Sequence, residues 1–383
     1  MTGTSGFSWP VRLPRWPSHD PFLLVLTFVM PLSGVVLVAS ARIPSVLTGD
    51  SLFDSATVFQ MIWAIVGVIL ALALSAVNYH WYARFAPFAL APVIIALVMV
   101  LLVEPSGERH TNRWLDIGQL TVQPSEVAKL VMIVTIAALA QRFGTNIYLW
   151  QFSIGRLGAL LAAIVLLVLV EPDLGTAITM LIVGFAMIMT AGARLRHIAS
   201  VVPMIGAIGT VSLLANEYQR ERLGAFVSRL LGGDPDTLNT GYQALQAQIA
   251  MGTGGITGRG FGQGTQKFRV SIPSSDDIFA VIGEEFGLVG TGLVLVIFLA
   301  LFVRGIQIAA SSEDVFGRLL AVGIVTQIVL QAFVNMAVVT GLIPATGIPL
   351  PFISRGGSSM LASLALMGIL MNVARHAQLQ RQT

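Results

Sequence analysis

Four carboxylates crowd into ten residues of a strongly apolar chain: Asp276, Asp277, Glu284 and Glu285, in the stretch RVSIPSSDDIFAVIGEEFGLVG that begins at Arg269. A second ionisable pair, Glu126 and Lys129, falls three residues apart on one helical face within an apolar run. Lys129 is one of two lysines in the chain. A lysine at the centre of a membrane helix costs roughly 2.5–3.5 kcal/mol on insertion scales, so it needs a partner or a wet cavity. Asp173, in VEPDLGTA, and a few arginines, among them Arg113 and Arg355, add charge near the same ends of the apolar runs. One chemistry uses all of these: a carboxylate as general base, cations that neutralise a diphosphate leaving group, and apolar helix faces that hold a lipid tail. Each group also has a plainer role. Glu126 and Lys129 can tie two helices together, Asp173 can cap the turn at Pro172, and Asp277 can begin a helix.

Other chemistries fit poorly. The five histidines are scattered, with no H-x-x-x-H spacing and no neighbouring carboxylate set, which argues against a zinc centre. Neither G-x-S-x-G nor S-x-x-K occurs, and Ser125 and Lys129 are one residue too far apart for the latter. There is no cysteine, hence no disulfide or thiol chemistry. The segment GTGGITGRGFGQGTQK carries seven glycines between Gly252 and Gly264 but matches neither a phosphate loop nor G-x-G-x-x-G, and no strand precedes it. Glycine still lets backbone N–H groups approach an anion, and a turn-rich connector accounts for the composition equally well.

The elements that must position these groups are membrane helices. The chain has 383 residues, of which 55% are hydrophobic and 11% charged, with a mean hydropathy of +0.82. Apolar runs of about 20 residues match a hydrocarbon core of roughly 30 Å. About ten spans are expected, near 22–41, 58–77, 85–103, 125–140, 157–171, 174–191, 198–215, 286–303, 319–339 and 357–374. The fold class is therefore an all-α polytopic membrane protein, one integral-membrane unit over 1–383. Residues 1–20 form a tail, and 216–284 form one long loop between helices 7 and 8. Arg84, Arg142, Arg156, Arg194, Arg196, Arg304, Arg318 and Arg375 gather at one set of ends, whereas the opposite short loops hold only Arg42, Arg109, Arg113 and Arg355. By the positive-inside rule the first set is cytoplasmic, as are both termini, and the acidic stretch faces outward. The net charge of +3 reflects this topology rather than nucleic-acid binding. Phe226, Val227, Leu230, Leu231, Tyr242, Leu245 and Ile249 suit short helices lying on the membrane within the long loop. Glu284 and Glu285 read as the start of the eighth helix, where acids suit the N-terminal dipole.

Five segments in order resemble the SEDS family (shape, elongation, division and sporulation; RodA/FtsW-like): NRWLDIGQLTVQPSEVAKL from Asn112, EPDLGTA from Glu171, GYQALQAQIAMGTGGITGRGFGQGTQ from Gly241, DDIFAVIGEEFGLVG from Asp276 and TGLIPATGIPLPFISRGGSS from Thr340. The resemblance implies a ten-helix peptidoglycan glycosyltransferase of the bacterial cytoplasmic membrane that polymerises lipid II with inversion at the anomeric carbon. It also implies a class B penicillin-binding transpeptidase as partner. The family's essential aspartate falls on Asp276 when counted back from IFAVIGEE, and on Asp277 when counted forward from GTQ. Arg113, Glu126, Lys129, Asp173, Arg355 and Ser358 are the candidate substrate-binding residues, Arg355 as an added diphosphate contact. A divalent cation, Mg or Mn, is an optional companion, with no metal ligand assigned. Two departures stand out. Pro273-Ser274-Ser275-Asp276-Asp277 is one residue shorter than the family's Pro-Glu-x-His-Thr-Asp, and Arg355 replaces the usual Tyr before Gly-Gly-Ser-Ser. Two alternatives stay open: a flippase or transporter of the lipid-linked precursor, and a non-catalytic scaffold for a transpeptidase.

Overall fold

The computed structural model describes residues 20–42, 55–103, 113–117, 120–232, 240–266 and 275–380. The N-terminal tail, the Glu104–Asn112 part of the first outward loop, and Pro273 and Ser274 of the departing segment lie outside these residues.

Among the described residues the main helices follow in the order Pro21–Ala41 (α1), Ser55–Ala76 (α2), His80–Leu102 (α3), Pro124–Phe143 (α4), Trp150–Val170 (α5), Leu174–Thr190 (α6), Leu195–Ala215 (α7), Glu217–Leu230 (α8), Thr240–Gly254 (α9), Ile278–Ser311 (α10), Val315–Val339 (α11) and Gly357–Gln380 (α12). Among the described residues nine are long and apolar enough to cross a membrane, and α6, with 17 residues, is a shorter apolar helix. A two-stranded antiparallel hairpin, Leu115–Ile117 (β1) and Leu120–Val122 (β2), leads into α4. Polar residues mark where the apolar runs begin. Asp20 accepts from the N–H groups of Phe22 and Leu23 ahead of α1, Asp173 from Thr176 ahead of α6, and Asp314 from Gly317 ahead of α11. Each satisfies donors that the first turn of a helix cannot pair internally.

The long spanning helices are apolar all round, as expected where the environment is either protein or lipid. The centre is built from α4, α11 and α12, whose Ile133, Ile136, Leu320, Ile324 and Leu370 are fully buried. Around it α12 packs along α2, α10 along α11, and α3 along α4. Val25, Phe88, Leu102 and Val211 point outward on the peripheral helices, as lipid-facing side chains do. Helix α7 is the least embedded span, with His197 and Ile198 as its buried residues. The interval between the seventh and eighth spans contains α8 and α9.

The eighth span departs from expectation. It starts at Ile278 rather than near 286 and breaks at Gly287, where φ is +64°. Glu284 and Glu285 are therefore not helix-starting acids. They lie about two turns into α10 and are buried, each at 1% exposure. Glu284 accepts from the Thr265 N–H at 2.7 Å and the Gln266 N–H at 3.1 Å, and Glu285 accepts from the Ser40 hydroxyl of α1 at 2.6 Å. Such buried carboxylates persist because hydrogen bonds replace their water. The dipole expectation treated the acids as local features, but their donors come from elsewhere in the chain.

Candidate active site

Asp276 sits just ahead of α10, held through its backbone. Asn335, buried on α11, donates from Nδ2 to the Asp276 carbonyl at 2.7 Å and to the Ile348 carbonyl at 2.8 Å. One amide thereby fixes the start of α10 against the loop between α11 and α12. The Ser275 hydroxyl donates to Asp276 Oδ1 at 2.9 Å. Gly347 lies against the carboxylate with φ +74°, a backbone suited to glycine. A Cβ placed there would stand 3.4 Å from Asp276 Oδ2, 3.5 Å from Arg222 Nη1 and 3.9 Å from Arg113 Nη1. A half-buried carboxylate and two guanidinium groups thus converge on one bare stretch of backbone.

Each arginine is anchored by main-chain carbonyls. Arg113 donates from Nε to the Glu171 carbonyl at 3.2 Å and from Nη2 to the Pro172 carbonyl, with Nη1 3.8 Å from Asp173 Oδ1. Asp173 caps α6 and accepts weakly from the Gln123 side chain at 3.4 Å. Arg222, on α8, donates from Nη1 to the Ala345 carbonyl at 3.1 Å and from Nη2 to the Tyr218 hydroxyl, and stacks 4.3 Å over the Tyr218 ring. Its buried Nε has no hydrogen-bond partner among the described residues. Both arginines line a cavity of about 330 Å³ whose remaining wall is largely apolar, with Leu174 and Ile178 of α6, Leu213 of α7, Leu223 of α8 and Ile343. Two guanidinium groups in an otherwise largely apolar wall suit an amphiphile with an anionic head.

The acids respond to this environment. Burial pushes the Asp276 carboxyl above the usual carboxylate range, while the Ser275 hydrogen bond and the charges of Arg222 and Arg113 oppose the rise. Asp277 is pushed up to about 7, by burial first and then by the Asp276 charge. Glu171, fully buried with no hydrogen-bond partner for either carboxylate oxygen among the described residues, is pushed up to about 8, by burial and then by Asp173.

The other expected site residues take different places. Glu126 and Lys129 are buried inside the helical core. Lys129 Nζ donates to Glu126 Oε1 and to Gln331 Oε1, both at 2.8 Å, and Gln331 Nε2 donates to the Pro349 carbonyl at 3.0 Å. Gln331 and Asn335 are one turn apart on α11. Through them the Lys129 pair and the Asp276 backbone reach adjacent residues of one segment, Ile348 and Pro349. Lys129 is thus linked to this segment through Gln331 and is not among the residues lining the cavity. Ser358, in the first turn of α12, accepts from the Gln123 N–H at 3.1 Å and donates to the Thr121 carbonyl at 3.3 Å, tying the hairpin to α12. Arg355 is exposed in the turn before α12 and is not among the residues lining the cavity. Asp277 occupies the cap position of α10 without a side-chain capping bond. Arg222 and Asn335 were not singled out from sequence. The Tyr218–Arg222 spacing of four residues was the available signal for the first, and a lone asparagine in an apolar helix for the second.

Comparison with known proteins agrees with this architecture. The family model described as cell cycle protein, that of FtsW, RodA and SpoVE, matches residues 21–379. Stage V sporulation protein E of Bacillus subtilis (strain 168) is 36% identical over 368 residues, covering 94% of this chain and 98% of that protein. A probable peptidoglycan glycosyltransferase FtsW of Geobacter metallireducens is 35% identical over 371 residues, covering 96% and 97%. A chain of a solved peptidoglycan synthase complex superposes with a TM-score of 0.74 at 24% identity, over 94% of this chain and 99% of that one, which establishes the shared fold. The ten-segment helical frame, the ordered motifs and the match over nearly the whole chain make this protein a member of the SEDS family of FtsW, RodA and SpoVE.

Proposed function

We propose that this protein is a peptidoglycan glycosyltransferase that polymerises lipid II at the outer face of the bacterial cytoplasmic membrane. The observation that carries the reading is the convergence of Asp276 Oδ2 with Arg222 and Arg113 beside Gly347, the two arginines also lining a largely apolar cavity. Asp276 takes the proton of the acceptor sugar hydroxyl as its oxygen bonds to the anomeric carbon of the donor. The bond from that carbon to the diphosphate breaks on the opposite face, giving inversion, and polyprenyl diphosphate leaves with the bonding electrons. Arg113 and Arg222 face the charge that grows on the leaving diphosphate, where oriented donors act most strongly. The wall of Leu174, Ile178, Leu213 and Leu223 receives the polyprenyl chain. A base of this kind contributes typically about 10²- to 10⁴-fold, and its raised pKa brings it closer to the operating pH.

The remaining assignments belong to the same proposal. Both termini lie in the cytoplasm, from the arginine bias of the loops, and a class B penicillin-binding transpeptidase crosslinks the product. Among the described residues no three acid or histidine side chains converge as a cation site. Charge neutralisation is assigned to the two arginines, which converge with Asp276 on Gly347. Fluorescent lipid II incubated with the purified protein in proteoliposomes tests the reading. Glycan polymer supports it. Lipid movement between leaflets without new glycosidic bonds would make the protein a flippase, and neither outcome would leave a scaffold.

A further inference from the structure

The glycine-rich segment takes no part in the site above, and it is joined to α10 in an uncommon way. In an unbroken helix the N–H groups of Leu288 and Val289 would bond to the carbonyls of Glu284 and Glu285. Here Leu288 donates to the Gly255 carbonyl at 2.9 Å and Val289 to the Ile256 carbonyl at 3.1 Å. The vacated carbonyls of Glu284 and Glu285 accept instead from Arg259 and Gly260, at 2.9 and 3.0 Å. The loop is spliced into two opened rungs of a membrane helix. Close approach demands glycine on both sides, since a Cβ at Gly258 would collide with the Glu285 carbonyl and one at Gly287 with the Gly258 nitrogen. The pairing continues along the loop. Gly258 donates to the Gly254 carbonyl and Gln263 to the Gly260 carbonyl, while Thr265 and Gln266 end on the Glu284 carboxylate.

Irregular backbone at membrane depth must have its polar groups paired by protein, and this loop meets much of that demand. The splice also sets its depth. Leu288 and Val289, at 67% and 63% exposure, begin the outward stripe of α10 that Leu293 and Val296 continue. Carbonyls bonded to their N–H groups stand at the same level. Beside them Ile256 is 70% exposed and Phe261 52%, with the Phe261 ring 6.3 Å from that of Phe286. Arg259, bonded to Thr265 at 2.9 Å and 3.9 Å from Glu284, keeps a half-exposed side chain long enough to reach lipid phosphates.

We propose that Gly255–Gly264 is a re-entrant anchor that dips into the leaflet on the site side, with Ile256 and Phe261 among the acyl chains. The occupant of this surface is phospholipid, because the apolar tip is continuous with the lipid-facing stripe of α10 and bonded to it at fixed height. The anchor holds the first turns of α10, and Asp276 ahead of them, at a constant distance from the bilayer.

The chain has no native cysteine, which permits a direct test. Ile256→Cys, Phe261→Cys, Leu288→Cys (lipid-facing control) and Glu221→Cys (water control, exposed on α8) are nitroxide-labelled and reconstituted in phosphatidylethanolamine–phosphatidylglycerol vesicles. Collision with oxygen is then compared with collision with a water-soluble nickel chelate. At 256 and 261 the ratio should favour oxygen and lie near that of 288, several-fold above that of 221. A ratio matching 221 would place the tip in water and overturn the proposal. Labels immobile and shielded from both reagents would mean that protein covers the tip, which overturns it equally. The readout is depth and not turnover, so it stands or falls independently of the glycosyltransferase reading.

Discussion

Two acidic pairs, separated by eight residues, meet opposite fates in this molecule. Asp276 and Asp277 are half-buried just ahead of α10, and Asp276 converges on Gly347 with two arginines that line an apolar cavity. Glu284 and Glu285 are fully buried and committed to donors from the glycine-rich loop and from α1. The carboxylate chemistry is the same. What differs is whether the lone pairs are spent on donors from distant parts of the chain or stand beside guanidinium groups that line a cavity. A carboxylate that holds structure should resist replacement through stability, and one that does chemistry through rate.

The largest expected effect follows directly. Asp276→Asn should lower lipid II polymerisation by about 10²- to 10⁴-fold while leaving thermal unfolding in detergent unchanged. A matching loss of stability would erase the distinction between the pairs. Arg222→Gln should come next. Loss of one charge-assisted hydrogen bond, about 1.5–3 kcal/mol, corresponds to roughly 10- to 150-fold in kcat/KM. It also carries a signed pH effect. The Arg222 charge lowers the Asp276 pKa, so its removal raises that pKa and moves the acid limb of the rate profile to higher pH. A limb that stays in place or moves down would separate Arg222 from the base.

The second acidic pair should answer in the other currency. Glu284→Gln weakens a buried charged acceptor with two backbone donors, and should cost about 1.5–3 kcal/mol of stability. Hydrogen exchange should quicken at Thr265 and Gln266, while activity per folded molecule holds. Asn335→Ala removes the amide that pins the Asp276 backbone to Ile348. A displaced base acts on bound substrate, so kcat should fall by about tenfold with KM little changed. Equal loss in both parameters would point to substrate contact instead. The smallest effect should be that of Asp277→Asn, within about threefold in rate, since its carboxylate is not among the groups that converge on Gly347.

How much of this was legible beforehand depends on the range of the interaction. Apolar runs are local and long, so the helical spans could be read directly. Asp276, Arg113 and Asp173 could be found as charges at span ends, and Glu126–Lys129 as an i,i+3 pair. The rest depended on partners far away in sequence. Lys129 was assigned to substrate, but its second partner is Gln331, two hundred and two residues on, and nothing near Lys129 announces it. Glu284 and Glu285 suited a helix start because acids often do. Their true donors lie eighteen and more residues back in the loop and in α1. The glycine-rich segment raised a question about anions, and its glycines turn out to allow backbone contact with α10. Arg222 was hidden by its setting, because an arginine on a short polar helix looks solvated until the loop at Ala345 closes over it.

The most direct test places the two neighbouring aspartates side by side. Single-turnover polymerisation of fluorescent lipid II is measured for the wild type, Asp276→Asn and Asp277→Asn in the same proteoliposomes. Chain growth should be lost in the 276 variant and kept within about threefold in the 277 variant. Loss in the 277 variant with growth retained in the 276 variant would contradict the assignment of the base, and unimpaired growth in both would remove the carboxylate from the chemistry altogether.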